Sequence, residues 1–234
     1  MNISSEVEKL HHAQRELFDI EVMHILNGQM MFEEFKANKL MGESDYAPFN
    51  EAMCVNATTE HTFDEEFINT RAAGHHEPKE GYIEKVITPL ANLFDKEYEC
   101  IVLWFGEDMF CHMNLLTMLS YLEQSGYKGK VFLNSFREDA EFKVTHTELQ
   151  LGHYDSVYKE VLVNHTKPSA ELYPVMSQAI NIYLDMLNED NAVVNFIKKN
   201  KDISTKDLLK ELFNQFPEVG YGDSQYIELI NRTK

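Results

Sequence analysis

Positive charge is in short supply in this chain: 21 Lys+Arg stand against 39 Asp+Glu, a formal net charge of -18 over 234 residues. A surface so acidic repels phosphate backbones, so nucleic-acid binding is not the default reading. Cysteine is scarce too. Cys54, Cys100 and Cys111 make an odd set with no CxxC pair, which gives no disulfide framework, little support for a zinc site, and a plain reading as reduced thiols of a cytoplasm. No stretch approaches the roughly 20 apolar residues of a membrane span. The opening MNISSEVEKLHHAQRELF is broken by charge throughout and lacks the apolar centre of a signal peptide. A cytosolic protein is expected. Catalytic signatures are missing as well. No GxGxxG, GxxxxGK[ST] or GxSxG pattern occurs, and HEPKE (76–80) is not an HExxH zinc motif, so dinucleotide, P-loop, hydrolase-elbow and metal sites are not indicated.

What is present is enough for a core, with 44% hydrophobic residues and no internal repeat or low-complexity linker. A helix is expected over 5–19, then a buried strand VMHILNG (22–28) and a helix over 30–40, the first half of a βαβ unit. FNEAMCV (49–55) reads as a second strand, 62–74 as helical, and Pro78 as the start of a helix reaching Asp95. CIVLWFG (100–106) has the continuous apolarity of a central parallel strand. A helix over 109–126 closed by Gly126 and a strand KVFLNSF (130–136) follow. From about residue 150 every periodic segment is helical, with Ser204–Asp207 resembling a helix start and Asp223 a cap for the last helix. The expected fold class is α/β, a Rossmann-like, mostly parallel sheet over 1–148, with an all-helical C-terminal region over 149–234.

Ligands of open parallel sheets collect at the carboxyl ends of the strands. Two such ends are chemically loaded: His24 to Gly28, and Trp104 to Asp108 running into a helix that carries Cys111, His112 and Asn114. Gly28 and Gly106 would let backbone amides approach a ligand, and the helix start near Met109 is a natural anion site, although Glu107 and Asp108 oppose a phosphate there. Each residue also has a plainer role. Asp108 reads as a helix N-cap, and His24 as a satisfied core histidine. Arg71, the one cation in a long acidic stretch, reads as a salt-bridge partner or as a carboxylate or phosphate reader. Cys111 and His112 are adjacent on a helix and face different ways, so they do not form a nucleophile–base pair.

HILNG (24–28) and VLWFGEDMFCHMNLLTMLSYLE (102–123) resemble the bacterial domain of unknown function 1835 family, and KELFNQFPEVGYGDSQYIELI (210–230) resembles its C-terminal segment. His24, Asn27 and Gly28 match the first motif, with Gln29 where the family usually has Asp. Asp108 matches the acidic position after the tryptophan strand. Gly106 stands where many members carry Glu, and Cys111 and His112 replace a common Asp-Gln. Glu51 and Arg71 match an acidic and a basic position between the motifs. The resemblance implies a Rossmann-like domain with a helical C-terminal part and no established activity. Some similar sequences carry an AraC-type transcriptional-regulator label.

The reading favoured by these residues is a small-ligand or nucleotide site at the carboxyl edge, lined by His24, Asn27, Gly28, Glu51, Arg71, Trp104, Asp108 and His112, with no cofactor or reaction specified. Two other readings stay open. One is a regulator whose C-terminal helices bind DNA: residues 171–234 carry 7 Lys+Arg against 10 Asp+Glu, or -3, while 1–170 carry 14 against 29, or -15. The tail is therefore less acidic without being basic, and FPEVGYGD (216–223) is longer than a helix-turn-helix turn. The other is an interaction scaffold whose tail helices pack on the α/β domain or on a second copy as a homo-oligomer.

Overall fold

The computed structural model describes residues 3–38, 40, 42–136 and 143–233. Helix α1 (Ile3–Ala13) ends before the expected boundary, and a 3-10 turn over Arg15–Phe18 leads into strand β1 (Val22–Leu26). After β1 come α2 (Gln29–Ala37) and β2 (Asp45–Pro48). The second strand is thus not 49–55, which the apolar run had indicated. Phe49 makes one last ladder bond, its N–H to Leu26 O at 2.8 Å. Beyond it the chain is buried without being a strand, because its carbonyls go to the Arg71 guanidinium and the Met53 N–H goes to Asn114 Oδ1 at 2.9 Å.

Helix α3 (Glu65–Gly74) is N-capped by Asp64, whose carboxylate accepts from Phe67 N. The helix expected from Pro78 to Asp95 is broken into α4 (Lys79–Tyr82), a π-helical stretch (Ile83–Ile87), a 3-10 turn (Thr88–Leu90) and α5 (Ala91–Asp95). Pro89 is the cause: it has no N–H and its ring crowds the carbonyl four residues back. That carbonyl, Lys85 O, accepts instead from Asn50 Nδ2 at 3.1 Å. Strand β3 (Cys100–Gly106), helix α6 (Met109–Gln124) and strand β4 (Lys130–Phe136) fall where expected, and Gly126 at φ +72° closes α6. An additional strand, β5 (Val144–Leu149), pairs antiparallel with β4.

Among the described residues the five strands form one sheet in the order β2-β1-β3-β4-β5, parallel except at β5. The fold class is α/β. One face packs Val7, Leu17, Phe35, Leu40 and Trp104 under α1 and α2. The other face lies against α6, which is buried nearly all round, as its apolarity on every side demands.

The tail consists of α7 (Tyr154–Tyr158) with a π-helical extension, α8 (Pro174–Met186), α9 (Ala192–Lys199), α10 (Thr205–Gln215) and α11 (Asp223–Thr233). Ser204 caps α10, its Oγ accepting from Asp207 N at 3.2 Å, whereas Asp223 is the first residue of α11 and not the residue before it. Met176, Ile180, Ile197, Leu212 and Tyr226 belong to the same buried cluster as Ile101, Leu103 and Leu116. Sheet, α6 and tail therefore form successive layers, with α6 between the other two. A single carboxylate fastens the tail at its start. Glu123, in the last turn of α6, accepts the N–H groups of Gly152, His153, Tyr154 and Asp155 at 2.6 to 2.9 Å. Among the described residues no helix is long and apolar enough to cross a membrane.

Candidate functional site

The order of the strands reverses between β1 and β3, so the carboxyl ends of these two strands open a crevice. Asn27 follows β1 there. Its Oδ1 accepts from Asn114 Nδ2 at 3.0 Å and its Nδ2 donates to Cys111 Sγ at 2.9 Å. Gly28 at φ +94° turns the chain into α2 with open space where a Cβ would stand, a conformation L residues rarely adopt. Asn114 also donates to Glu51 O at 2.7 Å. The first two strand ends are thus laced together by amide side chains.

Asp108 closes this crevice instead of lining it. Its Oδ1 accepts from Cys111 N at 2.8 Å as the N-cap of α6, and burial raises its pKa against the hydrogen bonds that lower it. A Cβ on Gly220, at φ +70°, would lie 2.1 Å from Asp108 Oδ1, so the tail segment before α11 seats directly on the carboxylate. Asp108 is the capping acid of α6, held between that helix start and the tail segment at Gly220.

His24 and Trp104, expected at the site, lie on the opposite face of the sheet and are fully buried. Trp104 Nε1 donates to His24 Nδ1 at 2.9 Å, and the remaining ring proton on Nε2 goes to Leu17 O at 2.7 Å. The imidazole is stacked between Phe18 and Tyr46, and burial lowers its pKa to about 3. Both residues belong to the core because strand alternation sends them away from α6.

Glu51 and Arg71 meet, and they use each other up. Arg71 is buried and donates Nε–H and one Nη2–H to the two Glu51 oxygens at 3.2 and 2.8 Å. Its other donors reach Ala52 O, Val55 O and Ala57 O at 3.0, 2.8 and 3.1 Å. All five guanidinium N–H groups are therefore engaged. Glu51 also accepts from its neighbour Ala52 N and from Tyr82 Oη, and His75 Nε2 lies 2.7 Å from its Oε1. Burial opposes ionisation of Glu51, but the hydrogen bond from His75 and the charge of Arg71 hold its carboxyl far below the usual range. In this structure the Arg71 guanidinium is engaged by Glu51 and by the carbonyls of the 52–57 loop. A cleft of about 290 Å³ opens beside the pair, lined by Asn50, His75, Tyr82, Lys85, Phe110 and Gln225 among others.

His112 is the one predicted residue that faces the second cleft, which has a volume of about 360 Å³ and lies between α6, β4, β5 and the entry to α8. Its lining includes Glu107, Ser135, Thr145, Thr147 and Tyr173. His112 Nδ1 sits 3.1 Å from Asp108 O, and since a carbonyl only accepts, Nδ1 carries the ring proton. Nε2 is then a bare acceptor. It is buried and has no hydrogen-bond partner among the described residues, and neither has the hydroxyl of Tyr173. The two rings stand 6.0 Å apart between centroids. Burial lowers the His112 pKa to about 4 against carbonyl contacts that raise it. The imidazole is thus neutral near pH 7 and able to take a hydrogen bond or a proton.

Tyr173 and the hydroxyl row of Ser135, Thr145 and Thr147 are not among the residues expected at the site. Only the β-branched alternation of β5 signalled any of them. Among the described residues no cluster of His, Cys, Asp or Glu is placed to hold a metal ion. Compared with protein-family models, curated proteins and solved structures, the chain gives no match.

Proposed function

We propose that this protein binds a small polar molecule at the carboxyl edge of its sheet, in the cleft that holds His112 and Tyr173. The observation that carries this reading is the buried, unpartnered Nε2 of His112 in the same cavity as the unpartnered Tyr173 hydroxyl. Buried polar atoms are paired in the great majority of cases, and leaving one unpaired costs about 1–3 kcal/mol. His112 and Tyr173 line one cavity with their rings 6.0 Å apart, and a concave site bordered by unsatisfied polar groups is where a ligand is expected. Nucleotides fit poorly, because the Glu107 carboxylate lines the cleft and its described lining has no Lys or Arg. Against a DNA-reading tail stand the apolar sides of α8 to α11, which turn into the shared core, and Lys198, which is paired with Asp190 at 3.0 Å.

We also propose membership of the domain of unknown function 1835 family. The segments that resemble it converge: Asn27 of the first bonds Cys111 of the second, and Gly220 of the third packs on Asp108. The buried thiols Cys54 and Cys100, neither in a disulfide, fit a reducing compartment such as the cytoplasm. A thermal-shift and calorimetric screen of small neutral, cationic and anionic compounds tests the ligand reading. Binding that disappears in Tyr173→Phe and His112→Gln is expected. Compounds that stabilise both variants as well as the parent would place the site elsewhere.

A further inference from the structure

We infer that the His112 cleft takes a small organic cation that also carries an O–H or N–H donor, such as an amino alcohol or a diamine; this rests on reading the cleft as a ligand site. The walls of the cleft select this class by the donors and acceptors they offer. Glu107, half-buried, has Ser135 Oγ as a hydroxyl neighbour at 3.3 Å, which leaves most of its acceptor capacity open to the cavity. The Glu148 side chain lies on the other face of the sheet, with His146 and Cys100. At the buried end His112 Nε2 is an acceptor without a donor, and the neutral state of the ring keeps it so.

Obligate acceptors thus outnumber obligate donors. The hydroxyls of Ser135, Thr145, Thr147 and Tyr173 adapt to either role, and among the described lining residues only Gln150 brings a side-chain N–H that must donate. A ligand that complements these walls is rich in donors. Its charge follows from Glu107, since an anion meets a like charge and a neutral polyol leaves the carboxylate uncompensated. A cation satisfies it, and the chain's net charge of -18 draws it in. Leu133, Leu149 and Val175 supply apolar wall for a short carbon skeleton. The smallest molecule that fits is an ammonium group for Glu107 joined by a few carbons to a second donor for His112.

The test uses the full chain with four probes in parallel: ethanolamine, 1,4-diaminobutane, glucose and inorganic phosphate. Thermal shift and calorimetry report binding, and ¹⁵N spectra of the imidazole rings report the state of His112. The amines should bind and raise Tm. Their donor should move the Nε2 resonance of His112 upfield while Nδ1 stays in place. Glu107→Gln, a change at a half-buried wall position, should weaken amine binding about tenfold and flatten its salt dependence. Glucose or phosphate binding with an Nε2 response, and no binding of amines, overturns the cationic class and leaves the cleft as a ligand site. Amine binding indifferent to Glu107→Gln and silent at His112 also overturns it. If no probe moves Tm or the His112 nitrogens, the cationic class falls, and the wider screen with the Tyr173 and His112 variants decides the cleft separately.

Discussion

The two clefts at the carboxyl edge are of similar size and both contain a buried histidine or carboxylate, yet their polar atoms are used in opposite ways. Beside the first, every guanidinium N–H of Arg71 has an acceptor, and Glu51 is met by Arg71, Tyr82, His75 and a backbone amide. In the second, His112 Nε2 and the Tyr173 hydroxyl have no partner among the described residues. A charged cluster draws the eye, but a saturated one has nothing left to offer a ligand. The less conspicuous cleft, with neutral groups left unpaired among the described residues, is the one we propose binds a ligand.

This contrast is sharpest where it is most easily broken. Arg71→Met removes the cation and leaves the Glu51 carboxylate buried, so it should cost about 3–5 kcal/mol of stability in urea unfolding. A loss below about 1 kcal/mol would mean the cluster is not the keystone its hydrogen bonds indicate.

Acid is the next largest perturbation. The folded-state pKa values of His24 and His112 are lowered from 6.5 to about 3 and about 4. The unfolded chain therefore takes up protons first as pH falls. Stability from these two residues is complete above pH 6.5 and is lost on the way down toward their folded values. At pH 5 the loss is about 2 kcal/mol for each histidine. Glu51, also depressed, gives up its contribution only as pH drops below its ordinary 4.5, so urea midpoints between pH 7 and 5 read the histidines.

Tyr173→Phe works in the opposite sense. Removing an unpartnered buried hydroxyl should stabilise the ligand-free protein by about 1 kcal/mol while weakening binding. An equal change at Tyr82, whose hydroxyl is bonded to Glu51, should destabilise. The smallest effect belongs to the rim of the first cleft. Lys85 and Glu77 pair at 2.7 Å but are exposed by 60% and 31%, and Lys85→Ala should shift stability by no more than about 0.5 kcal/mol.

The sequence showed β3 and α6 plainly because burial on all sides writes continuous apolarity, and periodicity needs nothing else. It misplaced β2 because the apolar run after Pro48 is buried by side-chain chemistry: Arg71, some fifteen to twenty residues on, replaces the missing strand neighbour. β5 escaped because an edge strand with polar residues on its open side resembles a loop. At the site, adjacency on a helix separated Cys111 from His112 correctly, one toward Asn27 and the other toward Tyr173. Nothing local links His112 to Tyr173, since only the docking of α8 on α6 brings them together.

The Glu123 carboxylate has a bearing on the order in which the molecule assembles. Helix α7 has no side-chain cap of its own at His153, and the amides of 152–155 depend on an acid 29 to 32 residues earlier. They stay unsatisfied until α6, β4 and β5 have come together, a closure short enough to occur early. The stretch from α6 to α7 is then a folding unit onto which the later helices are added. Pulsed hydrogen exchange should find the amides of 152–155 protected before those of α9 to α11.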